Sequence, residues 1–212
     1  MAGNALTMKE PAGRPVGRPR CMETQQTILA AAADLLESQP YRDISVERIA
    51  AQAGVGKQTI YRWYDSKADL MLDAFLARYA EIMPPAMLSG DPLANLRDYL
   101  HHLVEVLPSH TIEGGYRALY AEAQFDRNFR ERFAEIVLRR RRDLVRAFII
   151  AAVHKKQLRA DIDPDILVGA ILSPILMKFF ATVELPDKAY ADKILDLVLK
   201  GAATKQNEPA EA

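Results

Sequence analysis

Apolar residues recur at helical spacing along most of the chain, and no stretch alternates apolar and polar residues for long enough to predict a strand. The first helix is predicted over 23–38 and is followed by Pro40, which cannot continue it. One face of this helix carries four apolar residues: Ile28, Ala32, Leu35 and Leu36. The sequence therefore predicts an all-α fold.

Two short helices are predicted next, joined at Gly54, which can adopt the left-handed conformation that a tight turn needs. The first spans 46–53, and the hydroxyl of Ser45 is placed to cap it. The second spans 57–64. Five apolar residues are expected to hold the pair together: Ile49, Ala53, Val55, Ile60 and Trp63. This arrangement is typical of a helix-turn-helix.

Longer helices are predicted beyond this pair. A fourth helix is predicted from Ser66 to about Ile82, since Ser66 with Asp69 three residues later resembles a capping box. Later helices are predicted at 92–107, 115–124, 127–156, 164–183 and 187–200. Asp126 and Asp163 are expected to cap two of them. The order of elements predicts a three-helix head, a connecting helix and a larger helical domain.

The stretch 166–183 is apolar at nearly all of its eighteen positions, so a membrane span has to be considered. Lys178 and Pro174 lie inside it, and its length is at the short end of what crosses a bilayer. A helix that is apolar on all sides is also found buried between other helices. The sequence favours burial, with no membrane partner.

The 28 basic and 28 acidic residues cancel, so no overall field draws the chain to nucleic acid or to a membrane. Basic charge is concentrated in 1–20, which has few large apolar side chains and is predicted to be a flexible arm. Its Gly-Arg-Pro steps resemble the AT-hook, which places arginine in a narrow minor groove. Arg14, Arg18 and Arg20 then either contact DNA or belong to a solubilising tail.

The sequence shows no pattern of catalytic or metal-binding residues. The single cysteine, Cys21, cannot form an internal disulfide, and the four histidines lack ligand spacing. We therefore expect no enzyme activity, no cofactor, no metal and a cytoplasmic location. The arginine run 139–142 is interpreted as a solvated, ion-paired helix, because consecutive helical residues point in different directions.

The second short helix carries polar groups on its outward side, at Lys57, Gln58, Thr59, Tyr61 and Arg62. Such side chains can contact base edges and phosphates. A solvated helix face has a similar composition. The cap, the turn glycine and the apolar contacts together favour docking of this helix in the major groove of DNA.

The TetR/AcrR family of regulators has an N-terminal pattern that resembles 45–64, SVERIAAQAGVGKQTIYRWY, and 66–70, SKADL. The resemblance is specific over about 24–75. Beyond that region only the number and order of helices agree. The pattern differs at two positions, since the family often has histidine where this chain has Trp63 and phenylalanine where it has Tyr64.

The resemblance implies which side chains contact DNA. Base edges or the nearby backbone would be contacted by Lys57, Gln58 and Thr59. Phosphates would be contacted by Tyr61, Lys67 and the cap region at Ser45. The indole N–H of Trp63 can also donate to a phosphate, and Arg62 belongs to the same outward face.

The same resemblance implies a homodimeric repressor that a small-molecule effector releases from double-stranded operator DNA. In the family, the last two helices of each subunit pack as a four-helix interface, here 164–183 and 187–200. The predicted division is an arm at 1–20, a helix-turn-helix domain at 21–66, a connecting helix at 67–83, a regulatory and dimerisation domain at 84–204 and a tail at 205–212.

Eight residues are candidate walls of an effector pocket: Leu103, Leu107, Tyr116, Tyr120, Phe125, Phe129, Phe148 and Met177. Aromatic residues at helical spacing are also typical of a plain core, so both interpretations stand. The alternative to a regulator is a helical protein-interaction module, or a ligand-binding protein, without sequence-specific DNA binding. Salt-dependent binding to duplex DNA separates these classes.

Overall fold

The structure, a computed structural model, describes residues 19–82 and 90–203 and is helical through most of them. Its helices are α1 Pro19–Ser38, α2 Val46–Gln52, α3 Lys57–Tyr61, α4 Lys67–Ile82, α5 Pro92–Val106, α6 His110–Phe125, α7 Arg127–Phe133, α8 Arg140–His154, α9 Pro164–Ala181 and α10 Lys188–Ala202. Over these residues the only β-type contact is an isolated bridge between Leu158 and Ala203. The predicted all-α fold is confirmed.

Side chains cap the helices where the sequence predicts it. The Oγ of Ser45 accepts a hydrogen bond from the backbone N–H of Arg48 at 3.2 Å. The Oγ of Ser66 accepts from the N–H of Asp69 and donates to its carboxylate, so Ser66 caps α4 as predicted, through one half of a capping box. The carboxylates of Asp126 and Asp163 also accept hydrogen bonds from backbone N–H groups, at the starts of α7 and α9.

Several helix bounds differ from the prediction, since α3 ends at Tyr61 instead of 64 and α6 begins at His110 instead of 115. Helix α1 begins at Pro19, inside the segment expected to be a flexible arm. Proline suits the first helical position, because its missing N–H would have no partner there. The single helix predicted over 127–156 is instead α7 and α8, joined by a π-helical segment at Ala134–Arg139.

Helix α6 joins the N-terminal head to the rest of the chain. It packs against both α1 and α4, while α2 packs on α1 and α3 on α2. On the other side, α8 lies between α5 and α9, and α10 packs against α5 and α9. One continuous apolar core therefore extends from the helix-turn-helix to the C-terminal helices.

Helix α9 is buried on one side only. Its inward residues are Leu167, Val168, Ile171, Leu172, Ile175 and Phe179. On the opposite side Ile166 is 71% exposed and Met177 is 58% exposed. Among the described helices, α9 is the one that is long and apolar enough to cross a membrane, a property that buried core helices share. The burial that the sequence predicts for this helix is therefore found, within a single chain, on one face of α9 only.

Candidate DNA-binding surface and regulatory core

The two short helices α2 and α3 form a tight pair. Ile49 of α2 and Ile60 of α3 are fully buried between them. The backbone of Gly54 has φ +66°, which a residue with a β-carbon rarely adopts, so glycine suits the turn. Ala50 is buried beside it and is small enough to let the helices approach closely. The predicted contacts between these helices are therefore confirmed at their centre.

Most of the predicted DNA-reading side chains share the outer side of α3. Lys57, Gln58, Tyr61 and Arg62 are exposed, and Thr59 is half-buried. Tyr61 is a large aromatic residue with about half of its side chain exposed, and it does not belong to the buried core. The structure thus brings the predicted residues of α3 together on one accessible surface.

Lys57 forms an ion pair with an acidic residue that sequence reasoning missed. Its Nζ lies 3.0 Å from Oε1 of Glu47 on α2, and both side chains are exposed. The hydrogen bond between them raises the pKa of Lys57 and lowers the pKa of Glu47. Both groups are therefore charged at neutral pH, and Glu47 partly neutralises Lys57, the first residue of α3.

Lys67, for which the family resemblance implies a phosphate contact, forms hydrogen bonds inside the protein. Its Nζ donates to the carbonyl oxygens of Tyr41 and Ile44, each at 3.1 Å. The same ammonium lies 4.0 Å from the centre of the Tyr41 ring. Burial lowers the pKa of Lys67. Since two of its three N–H donors are used inside the protein, Lys67 stabilises the segment that leads into α2.

The remaining predicted contact residues do not form a single surface. The guanidinium carbon of Arg62 lies 5.6 Å from the ring centre of Trp63, which is half-buried. The hydroxyl of Ser45 is used to cap α2. Arg14 and Arg18 lie outside the described residues, and Arg20 belongs to the first turn of α1.

The predicted pocket walls are only partly brought together. Five of them are buried in the core, and Tyr120 is half-buried beside them; the buried five are Leu103, Leu107, Tyr116, Phe129 and Phe148. Phe125 is 90% exposed, because it ends α6 on the outer surface. Met177 is also on the outer surface, on the exposed side of α9. The prediction is therefore wrong for Phe125 and Met177, which do not face the interior of the chain.

An aromatic cluster surrounds Tyr116 on α6, in the C-terminal helical part of the chain. The ring centre of Tyr116 lies 5.5 Å from that of Phe75 on α4 and 4.9 Å from that of Phe180 on α9. Phe133 and Phe179 complete the cluster at 6.0 Å and 5.8 Å. Since Phe75 belongs to the connecting helix, the cluster links the regulatory core directly to the head.

Arg141 lies beside Tyr116 in this cluster and is a buried charge that the sequence pattern did not predict. It is 5% exposed, whereas the run 139–142 was expected to be solvated. The expectation holds for Arg139, which forms an ion pair with Glu135 at 2.9 Å. Nη1 of Arg141 instead donates to the hydroxyl of Tyr116 at 2.7 Å, and Nη2 donates to the hydroxyl of Tyr79 at 3.1 Å.

The π-helical segment explains why Arg141 faces inward. Buried residues recur every four positions through this region, at Phe129, Phe133, Val137, Arg141 and Val145. In an α-helix such a row drifts by about 40° at each step, because one turn takes 3.6 residues. The wider turn of the π segment reduces this drift and keeps the row on one side. The sequence signal that could have predicted the burial of Arg141 is its place in this row of apolar residues spaced by four.

A second charged contact joins the regulatory domain to the connecting helix. Arg132 on α7 donates to Asp69 at 2.5 Å and to Asp73 at 2.7 Å, both on α4. Burial raises the pKa of Asp73, and the neighbouring Arg132 opposes that rise. The arginine therefore holds two acidic side chains of α4 against the regulatory domain.

Comparison with protein families agrees with both halves of this structure. A family model described as bacterial regulatory proteins, tetR family, matches residues 28–74. A second model, described as a tetracyclin repressor-like C-terminal domain, matches residues 88–198, which is more than half of the chain. The chain belongs to the TetR family. It is therefore a helix-turn-helix transcriptional regulator.

Individual TetR relatives match over nearly the whole length. An uncharacterized HTH-type transcriptional regulator, YdeS of Bacillus subtilis (strain 168), is 27% identical over 91% of this chain and 96% of its own. The crystal structure of the TetR family regulator SCO0332 has a TM-score of 0.70 and 26% identity, covering 86% of this chain and all of that one. FadR from Bacillus subtilis, in complex with stearoyl-CoA, shares the fold with a TM-score of 0.64 and 19% identity, covering 83% and 98%.

Proposed function

We propose that this TetR-family chain is a cytoplasmic homodimeric repressor that binds operator DNA through α3 and is released by a small molecule. The observation that carries the proposal is the polar outer side of α3, where Lys57, Gln58, Tyr61 and Arg62 are exposed on a tightly packed helix pair. A rigid helix with donors and acceptors on its free side fits the major groove. The proposed domains are 21–66 for DNA binding, 67–83 as connection and 84–204 for regulation and dimerisation.

Dimerisation explains the apolar residues that a single chain leaves exposed near its C-terminus. Ile166 and Met177 on α9, and Leu197 on α10, are exposed large hydrophobic side chains. A two-fold axis would bring the same surface of a second copy against them. Helices α9 and α10 of the two copies would then form a four-helix interface, as in the family.

Effector binding is proposed for the aromatic core between α4, α6 and α9. The stearoyl-CoA complex of FadR shows that a structural neighbour with this fold binds an amphipathic molecule. In this chain, Phe75 and Tyr79 extend from α4 to the same aromatic cluster as Tyr116 on α6. A ligand that separates these rings would favour one position of the heads over another and thereby shift the DNA-binding equilibrium.

Selection of DNA fragments by the purified dimer, followed by titration of the selected sequence, tests this proposal. We expect a two-fold-related operator, and affinity that falls steeply with salt concentration. Replacing Gln58 or Tyr61 by alanine should weaken operator binding, whereas Arg142→Ala, on the exposed side of α8, should leave it unchanged. Failure to select any sequence would instead support a protein-interaction module.

A further inference from the structure

Arg141 is a buried cation whose surroundings contain only neutral hydrogen-bond partners. Its guanidinium donates to the hydroxyls of Tyr116 and Tyr79, and Tyr99 interacts with the same group. Burial raises the pKa of Tyr99 to about 12 and also raises the pKa of Tyr116, so both hydroxyls stay protonated at neutral pH. Within residues 19–82 and 90–203 no carboxylate forms an ion pair with Arg141.

A lone buried charge costs free energy unless an opposite charge or a full set of hydrogen bonds compensates it. Arginine does not escape this cost by losing its proton. The hydrogen bonds of Arg141 are also incomplete, since its Nε has no partner. Valine occupies the neighbouring positions of the same buried row, Val137 and Val145. An apolar residue would therefore suit this site better than arginine if packing were its only role.

A second cation near the aromatic cluster, Arg117, already has an acidic partner. Arg117 on α6 lies over the ring of Phe179, with 4.8 Å from its guanidinium carbon to the ring centre. Its Nε is 3.2 Å from Oε1 of Glu113. Among the residues that the structure describes, the aromatic core therefore contains one unmatched positive charge, which suits a ligand with one negative charge and an apolar body.

We propose that Arg141 binds the carboxylate of the effector, an amphipathic organic acid whose apolar part lies among the rings of Phe133, Phe179 and Phe180. This inference rests on the proposed effector-binding function of the domain. A guanidinium and a carboxylate pair through two parallel hydrogen bonds, which gives both affinity and orientation. The apolar part would enter a cluster whose rings now contact one another, so binding requires those rings to separate.

The same contact connects the acid to the DNA-binding head. Tyr79 belongs to α4 and Tyr116 to α6, and both hydroxyls currently accept hydrogen bonds from Arg141. A carboxylate that pairs with Nε and Nη2 would use the free Nε–H and compete with Tyr79 for Nη2, because a charged acceptor forms the stronger hydrogen bond. Tyr79 would then lose its hydrogen bond to α8, which removes one of the contacts that hold α4, the helix that starts at Lys67 directly after the helix-turn-helix, while the ion pairs of Arg132 with Asp69 and Asp73 remain.

Calorimetric titration of the full-length protein tests the inference. The probes are a series of straight-chain carboxylates from butanoate to palmitate, together with benzoate and naphthoate, each paired with its neutral amide. We expect at least one acid to bind about tenfold or more tightly than its amide. Arg141→Met should remove this preference. Arg142→Met, which changes the adjacent exposed arginine, should retain it.

Thermal unfolding of the same variants separates a binding role from a structural one. Arg141→Met should fold and unfold at a temperature no lower than wild type, because it removes an uncompensated buried charge. Arg141→Lys should bind the acid more weakly than wild type, since an ammonium lacks the planar fork. Equal binding of acid and amide by wild type, or binding of no acid in the series, overturns the proposal. The wild-type comparison stands even if Arg141→Met fails to fold.

Release of operator DNA distinguishes the failure of this inference from the failure of the proposed function. If only neutral compounds release the DNA, the repressor function stands and the role of Arg141 is wrong. If an acid binds through Arg141 and leaves DNA affinity unchanged, the anion site stands and the regulatory function is wrong. We expect the acid to release wild type and the Arg142→Met variant, and not the Arg141→Met variant.

Discussion

Gly115 on α6 leaves no room for a β-carbon beside Leu36 on α1. A β-carbon built at Gly115 would lie 2.6 Å from Cδ2 of Leu36 and 3.4 Å from a ring carbon of Phe75 on α4. Leu36 and Phe75 are both buried, so neither side chain can turn outward to make space. This contact of α6 with α1 and α4 therefore depends on a glycine.

The first prediction follows from that contact. Gly115→Ala should lower the free energy of unfolding by about 1–3 kcal/mol relative to a matched variant, because overpacking forces buried neighbours to shift. The matched variant is Gly114→Ala, where nothing lies within 4 Å of the new β-carbon. Gly114→Ala should stabilise the helix by about 0.5–1 kcal/mol. Urea unfolding measures both, and equal stability of the two would contradict the packing argument.

The second prediction concerns the ion pair between Lys57 and Glu47, 3.0 Å apart on the proposed DNA-binding surface. Glu47→Gln should strengthen binding to duplex DNA and steepen its salt dependence by up to about one ion, because Lys57 becomes available to a phosphate. Asp161→Asn is the control. It makes the same change in net charge at an exposed acidic residue that is distant in sequence from α2 and α3. Equal effects of the two variants would show that only net charge matters.

The third prediction separates two roles of Lys67. If its hydrogen bonds to the carbonyls of Tyr41 and Ile44 are its main role, Lys67→Met should lower the free energy of unfolding by about 1 kcal/mol in the absence of DNA. Lys57→Met, at an exposed position of the same head, should change stability little. If Lys67→Met lowers DNA affinity without lowering stability, the result would support the phosphate contact that the family resemblance implies.

The sequence was sufficient for the helices and their caps because both depend on local chemistry. Ser45, Asp126 and Asp163 accept hydrogen bonds from N–H groups two or three residues away, so a short window contains the whole interaction. Ile49 and Ile60 are both buried, on helices that a turn of a few residues joins. The helix-turn-helix could therefore be predicted almost completely.

Interactions between distant segments were the part that the sequence did not disclose. Arg132 reaches Asp69 and Asp73 across about sixty residues, and Arg141 reaches Tyr79 across a similar distance. A run of four arginines gives no sign that one of them is buried. That orientation depends on the π-helical segment before it, and helical periodicity of 3.6 residues does not anticipate such a segment.

The fourth prediction concerns the dimer. Leu197 is 70% exposed on α10, so Leu197→Glu should convert the dimer to a folded monomer with unchanged helical content. Leu195 is 1% exposed, so Leu195→Glu should unfold the subunit itself. Met22→Glu, which places the same charge at an exposed apolar position of α1, should remain dimeric. Light scattering gives the mass of each, and a dimeric Leu197→Glu protein would place the interface elsewhere.

The last prediction concerns the basic arm that precedes α1. Because α1 begins at Pro19, a truncation that removes residues 1–18 keeps the helix intact while it removes Arg14 and Arg18. If these arginines enter the minor groove, the truncation should weaken operator binding and reduce the salt slope by up to about two ions. The double variant Arg14→Ala and Arg18→Ala should have the same effect in the full-length chain.

The base composition beside the operator distinguishes groove binding from a general electrostatic effect. A narrow A·T-rich minor groove concentrates negative potential, so the arm should prefer operators with A·T-rich flanks. Titration of full-length and truncated protein against two operators that differ only in their flanks measures this preference. A solubilising tail predicts coincident curves for the two proteins on both operators. A loss of affinity that is equal on both would indicate phosphate contacts without insertion into the groove, since phosphates carry no base information.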